Sequence, residues 1–175
     1  MEAESGRVLY EQNADEPRLI ASITKLMTAL VALESGHSLD ETVTIQAEDT
    51  RTEGSSLYLK AGDTVTLETL LYGLLLHSGN DAALAIARFC GGSVEAFVAK
   101  MNEKAQALGM TRSSFANPNA LNAEGHYSTA RDMARLARAC LENEALAQMV
   151  STRTITLEGR TFTNHNKLLW QYDGC

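Results

Sequence analysis

Apolar residues recur at helical spacing through Ile23, Leu26, Met27, Leu30 and Val31, so the pattern predicts a helix from about Ala21 to Ser35, with Gly36 placed to cap its C-terminus. A leucine-rich helix over Leu67 to Leu76 follows and stops at Ser78-Gly79, where Asn80-Asp81 can cap a further helix, Ala82 to Phe89. Ser93 can cap a helix that carries Phe97, Met101, Ala105 and Leu108 on one side and ends at Gly109. Thr129 with Asp132 reads as a capping box opening a helix over Ala130 to Leu141. Near the end the period changes from helical to alternating: Ser151 to Leu157 and Arg160 to Asn166 flank Glu158-Gly159, which predicts a hairpin. Met1 to Glu4 and Val8 to Gln12 are expected to pair as strands around Ser5-Gly6. No repeat, low-complexity segment or linker divides the chain.

At 175 residues, 45% hydrophobic and 21% charged, the chain is long enough for one domain with a sizeable core. A formal charge of −7 without any basic run argues against nucleic acid or another polyanion as partner. The longest apolar stretch, around Leu26 to Leu33, is too short and interrupted to span a bilayer, so no membrane segment is expected. Met1-Glu-Ala-Glu-Ser-Gly lacks the charged and apolar regions of a signal peptide. Cys90, Cys140 and Cys175 show neither Cys-x-x-Cys spacing nor an even count, and Cys90 and Cys140 read as buried thiols. His37, His77, His126 and His165 lack metal-ligand spacing, so no metal site is expected. His77 reads as a helix-end histidine near a C-terminal dipole. Asp40-Glu41 and Glu48-Asp49 cannot face one another as acid and base, and both read as solvated surface.

The chemistry centres on Ser22 and Lys25. A residue three positions along a helix shares the serine's face, so a lysine base can reach the hydroxyl and activate it as a nucleophile. Ser22 falls in the first helical turn, where backbone N–H groups have no intrahelical partner and can meet a developing oxyanion. An unperturbed lysine, with a pKa near ~10.4, costs roughly 4 to 5 kcal/mol to deprotonate at neutral pH. Burial or a second cation must therefore lower it. Ser78-Gly79-Asn80 adds a second polar pair downstream, although each short motif alone is common by chance.

Longer segments carry more weight. Gly6-Arg-Val-Leu-Tyr-Glu11, Ala21-Ser-Ile-Thr-Lys-Leu-Met-Thr-Ala29, Gly54-Ser-Ser-Leu-Tyr-Leu59, Leu70-Leu-Tyr-Gly-Leu-Leu-Leu-His-Ser-Gly-Asn-Asp-Ala-Ala83 and Gly125-His-Tyr-Ser-Thr-Ala-Arg-Asp132 closely resemble the low-molecular-weight penicillin-binding proteins. Within them the resemblance is to the serine-type D-alanyl-D-alanine carboxypeptidases, and it covers nearly the whole chain in order. It implies an α+β fold of the β-lactamase and penicillin-binding transpeptidase type, with an antiparallel sheet, flanking helices and a helical subdomain. It implies Ser22 as the acylated nucleophile, Lys25 as its base, Ser78 as proton shuttle to the leaving amine, and Asn80 as a hydrogen-bonding partner of substrate and of Lys25. The implied substrate is a peptidoglycan pentapeptide ending in D-Ala-D-Ala, with β-lactams as mimics, no cofactor, and an extracytoplasmic location on the periplasmic or cell-wall side.

Two departures stand out. The family's Lys-Thr-Gly strand, whose lysine meets the substrate carboxylate, normally comes shortly after a stretch like Asn164-His-Asn-Lys-Leu-Leu-Trp-Gln-Tyr-Asp-Gly174, and it does not occur among these 175 residues. The expectation is therefore a single incomplete catalytic domain, 1–175, missing its C-terminal strands. Such a chain would be weakly active or inactive and prone to self-association through an open sheet edge. The second departure is Phe115-Ala-Asn-Pro-Asn-Ala-Leu121, where relatives usually read Asn-Pro-His-Gly-Leu; Ala120 is strained if the glycine's place demands a positive φ. Two rivals remain at this level. A class A β-lactamase would need Glu-x-x-x-Asn, which no asparagine here satisfies, and a non-catalytic peptidoglycan- or partner-binding remnant would keep the same fold.

Overall fold

Helix α1 (Thr24–Leu33) is the axis of the molecule, and helices α2 (Leu67–His77), α3 (Asn80–Gly91), α4 (Val94–Ala107), α5 (Ala130–Glu142) and α6 (Glu144–Ser151) pack against it. The computed structural model describes residues 1–172. Because neighbours surround α1, even its polar Thr24, Lys25 and Thr28 are buried beside Met27, Ala29, Leu30, Val31 and Ala32. Ile23, expected on the apolar stripe, is instead 51% exposed. It belongs to a separate 3-10 turn, Ala21–Ile23, whose tighter winding rotates it out of the stripe.

Leu70, Leu71 and Leu74 of α2 and Phe97 and Met101 of α4 are almost wholly buried, each removal from water contributing about 1.5 to 3 kcal/mol. Between them α3 presents Ala82, Ala83, Ala85 and Ala87, small side chains that let three helices approach closely. The α3–α4 corner bends by 85°. Gly92 makes it with a left-handed φ of +80°. Side-chain caps open four helices: Thr66 on α2, Ser93 on α4, Thr129 on α5 and Asn143 on α6. The box expected at Thr129–Asp132 is only half formed. Thr129 accepts from Asp132 N, but the Asp132 carboxylate turns to Arg112 N, Ser113 Oγ and Arg135.

Two antiparallel pairs complete the α+β architecture: β1 (Thr42–Thr44) with β2 (Thr64–Thr66), and β3 (Thr154–Leu157) with β4 (Arg160–Thr163). The β3–β4 turn is Glu158-Gly159, both at positive φ, as a two-residue hairpin loop requires. Ser151, expected in the strand, closes α6 instead. The Glu158 carboxylate reaches back to Thr66 N, Thr66 Oγ1 and Thr69 Oγ1 at 3.0, 3.2 and 2.6 Å, so the hairpin tip also caps α2.

The expected N-terminal strand pair is not formed. The Glu2 carboxylate accepts from Glu4 N and Ser5 N at 2.8 and 2.7 Å, and these bonds close a tight turn where a strand would need extended backbone. Asp49, read as solvated, is 1% exposed. Arg88 compensates its burial with bonds of 2.6 to 3.2 Å to both carboxylate oxygens. Cys90 and Cys140 are buried free thiols, whereas Cys175 lies outside the described residues. Among the described residues no single helix is long and apolar enough to cross a membrane.

Candidate active site

Ser22, Lys25 and Ser78 meet at one point. Ser78 Oγ donates to Ser22 Oγ at 3.0 Å, and Lys25 Nζ lies 3.4 Å from the same oxygen. The 3-10 turn and first turn of α1 supply the serine and lysine. Ser78 is the left-handed C-cap of α2, at φ +56°, which swings its side chain away from the helix and towards Ser22. Ala21, at φ +42°, and Ala120, at φ +73°, are also left-handed. Such conformations cost of order 1 to 3 kcal/mol each for non-glycine residues and tend to gather at functional sites.

Lys25 is 3% exposed, and burial pushes its pKa down to about 8. Burial alone is responsible; among the described residues no second cation contributes. The amine donates to the Asn119 carbonyl at 3.1 Å. The expected Asn80–Lys25 hydrogen bond is not formed. Asn80 opens α3 with its amide turned to the 53–59 loop, where Nδ2 donates to the Glu53 carbonyl at 2.5 Å and the backbone N–H to Ser55 O at 2.8 Å. Next to it, Asp81 accepts from Ser56 Oγ, Leu57 N and Leu59 N, the kind of carboxylate a helix N-terminus favours. The loop is thus pinned to the same helical turn that follows Ser78.

A cavity of about 300 Å³ opens beside Ser22, Lys25 and Ser78, with Leu26, Leu74, Leu75 and Leu76 on one side and Asn164, His165 and Asn166 on the other. His165 stacks on His77 with ring centroids 5.3 Å apart. A helix dipole would raise the pKa of His77, but burial and the neighbouring His165 lower it instead. Sequence reasoning missed Asn119 as a lysine partner and His126 as a support for α1. Only the unusual Asn-Pro-Asn-Ala run pointed to the first, and nothing local pointed to the second.

A family model described as D-alanyl-D-alanine carboxypeptidase, peptidase S11, matches residues 1–174. The chain belongs to this family. D-alanyl-D-alanine carboxypeptidase DacF of Bacillus subtilis is 38% identical over 186 residues, covering 99% of this chain and 47% of the relative. DacA of Escherichia coli is 40% identical over 177 residues, covering 95% of this chain and 44% of the relative. The chain therefore spans about half the length of these curated D-alanyl-D-alanine carboxypeptidases. Among solved structures, the Streptomyces K15 DD-transpeptidase superposes with a TM-score of 0.93 at 34% identity, covering 99% of this chain and 74% of that one. That likeness places the helices and paired strands in the penicillin-binding peptidase fold.

Proposed function

We propose that this chain carries the acylating centre of a serine D,D-carboxypeptidase acting on peptidoglycan peptides that end in D-Ala-D-Ala, on the outer side of the cytoplasmic membrane. The observation that carries the reading is the convergence of Ser22 Oγ with Ser78 Oγ and the buried Lys25 Nζ, at 3.0 and 3.4 Å.

In this reading neutral Lys25 takes the Ser22 proton as Oγ attacks the penultimate D-alanine carbonyl. The first-turn N–H of Ser22 meets the oxyanion. As the tetrahedral intermediate collapses, the proton passes through Ser78 Oγ to the departing amine. The peptide bond breaks, free D-alanine leaves and a Ser22 ester remains. Water then cleaves the ester and returns the hydroxyl. β-Lactams enter as cyclic amides whose opened ring stays attached to Ser22.

Intact-protein mass spectrometry after incubation with benzylpenicillin tests the proposal. The expected result on prolonged incubation is one slowly formed adduct, located at Ser22 and lost in Ser22→Ala. An unmodified chain overturns it and favours a non-catalytic peptidoglycan-binding role.

A further inference from the structure

Hydrogen bonds, completed by the short backbone link from Asn80 to Ser78, close a ring around Ser22. From Ser22 Oγ the path runs to Lys25 Nζ at 3.4 Å and on to the Asn119 carbonyl at 3.1 Å. Asn119 Nδ2 donates to Thr52 Oγ1 at 3.2 Å, and Thr52 Oγ1 donates to the Glu53 carbonyl at 3.4 Å. Asn80 Nδ2 donates to that carbonyl at 2.5 Å, and Ser78, two residues back, returns to Ser22 at 3.0 Å. We propose that Asn119 and Thr52 are positioning residues for Lys25: the Thr52 hydroxyl holds the Asn119 amide, and this keeps the Asn119 carbonyl on Nζ and the amine aimed at Ser22.

The inference rests on the acyl-transfer reading above, and three features of the Asn119 loop support it. Asn119 is 4% exposed, so its amide must find partners within the protein. The peptide before it is pinned, since Thr28 Oγ1 donates to the Pro118 carbonyl at 2.7 Å. The residue after it, Ala120, holds φ +73° although it lacks glycine's freedom, which marks the turn as imposed by its surroundings. A neutral amine has two N–H bonds and one lone pair. Fixing one N–H on a rigid carbonyl leaves the lone pair fewer directions, and Ser22 Oγ is 3.4 Å away.

The latch also joins the base to the 53–59 loop, because Thr52 precedes it and Asn80 and Asp81 hold its backbone. The titratable groups around Lys25 are His126 behind Thr24, His165 across the cavity, His77 before Ser78, and Glu53, whose side chain is exposed. None makes a hydrogen bond to Lys25 among the described residues, so its acceptors are Ser22 Oγ and the Asn119 carbonyl.

Thr52→Val removes the hydroxyl while keeping the side-chain shape. The readout is the Lys25 titration, followed by the Cε carbon resonance in protein labelled at its five lysines and assigned with Lys25→Met. The expected result in Thr52→Val is a midpoint about half a pH unit lower, because the charged amine loses an oriented acceptor. Thr52→Ser restores it. Benzylpenicillin acylation of Ser22 slows about tenfold in Thr52→Val, and its pH profile moves with the lysine. Asn119→Ala is an independent arm with the same expected fall, so misfolding of one variant leaves the test in place. A Lys25 midpoint that is unmoved or raised overturns the proposal, as does a Thr52→Ser protein that behaves like Thr52→Val. A chain that benzylpenicillin never acylates overturns the acyl-transfer reading, while the titration still decides the latch.

Discussion

His126 Nε2 lies 2.7 Å from Thr24 Oγ1, between the nucleophile and its base in sequence. Its Nδ1 accepts from Ala116 N at 3.1 Å, so the neutral ring carries its hydrogen on Nε2 and donates it to Thr24. Both ring nitrogens are used only while the imidazole is neutral, and a second proton would break the Ala116 bond.

Stability should therefore fall on the acid side. Burial holds His126 below its ordinary value of 6.5, so the unfolded chain takes up the proton first. The contribution is complete above about 6.5 and is lost as pH falls through the lower folded-state value. His77, lowered by burial and by His165, acts in the same direction. Urea unfolding at about pH 7.5 and about pH 5.5 should show this loss, and His126→Gln should show a smaller one. Equal losses in both proteins would refute the assignment to His126.

Ala120→Gly should stabilise the protein. Its φ of +73° carries a steric penalty that glycine escapes, partly offset by glycine's greater freedom when unfolded. The expected gain is about 0.5 to 1 kcal/mol in urea denaturation, with acylation retained because the Asn119 carbonyl stays in place. A loss of stability would mean that Ala120 packs better than its backbone suggests.

Lys25→Met should abolish acylation and stabilise the fold near neutral pH. A lysine brought from 10.5 to about 8 by burial opposes folding by roughly 1 to 3 kcal/mol after allowance for its bond to Asn119. That penalty is complete below about pH 8 and fades as pH rises from there to 10.5, where the unfolded chain also loses its proton. The stability difference between the variant and the parent should therefore shrink between about pH 7 and about pH 10. A difference independent of pH would assign the effect to packing alone.

Leu57 is seated against Gly73 and Gly79, and a Cβ at Gly79 would stand 2.8 Å from its Cγ. At Gly73 the clash with Leu57 Cδ1 is closer still. Gly73→Ala should push Leu57 out, loosen the loop that Asp81 holds, and cost about 1 to 3 kcal/mol. Thermal unfolding and acylation should fall together, whereas a stable variant with normal acylation would show that the loop repacks freely.

The helical register, the Ser93 and Thr129 caps and the Glu158-Gly159 turn were readable from local chemistry, because each depends on residues within one turn of one another. Ser22 and Lys25 fall in the same class. The errors share another origin. Asp49 looked like surface because its counter-ion, Arg88, is 39 residues away. Asn80 faces Glu53 rather than Lys25 because loop carbonyls compete for its amide, and neither contact leaves a periodic trace. The β1–β2 pair, each strand only Thr-Val-Thr, is too short for alternation to announce it.

Ser22 and Lys25 sit within one helical stretch, but Ser78 is 56 residues from the serine and Asn119 is 94 from the lysine. A partly opened chain can keep the helical pair while lacking both distant partners. Its lysine, returned to water, regains its ordinary value near 10.5 and is far more rarely neutral at pH 7 than one held at about 8, and its serine is an ordinary alcohol. Local fraying thus yields a chemically silent species rather than a stray nucleophile. Reactivity waits on two long loop closures, the slow steps of a fold, so the site is switched on by folding itself.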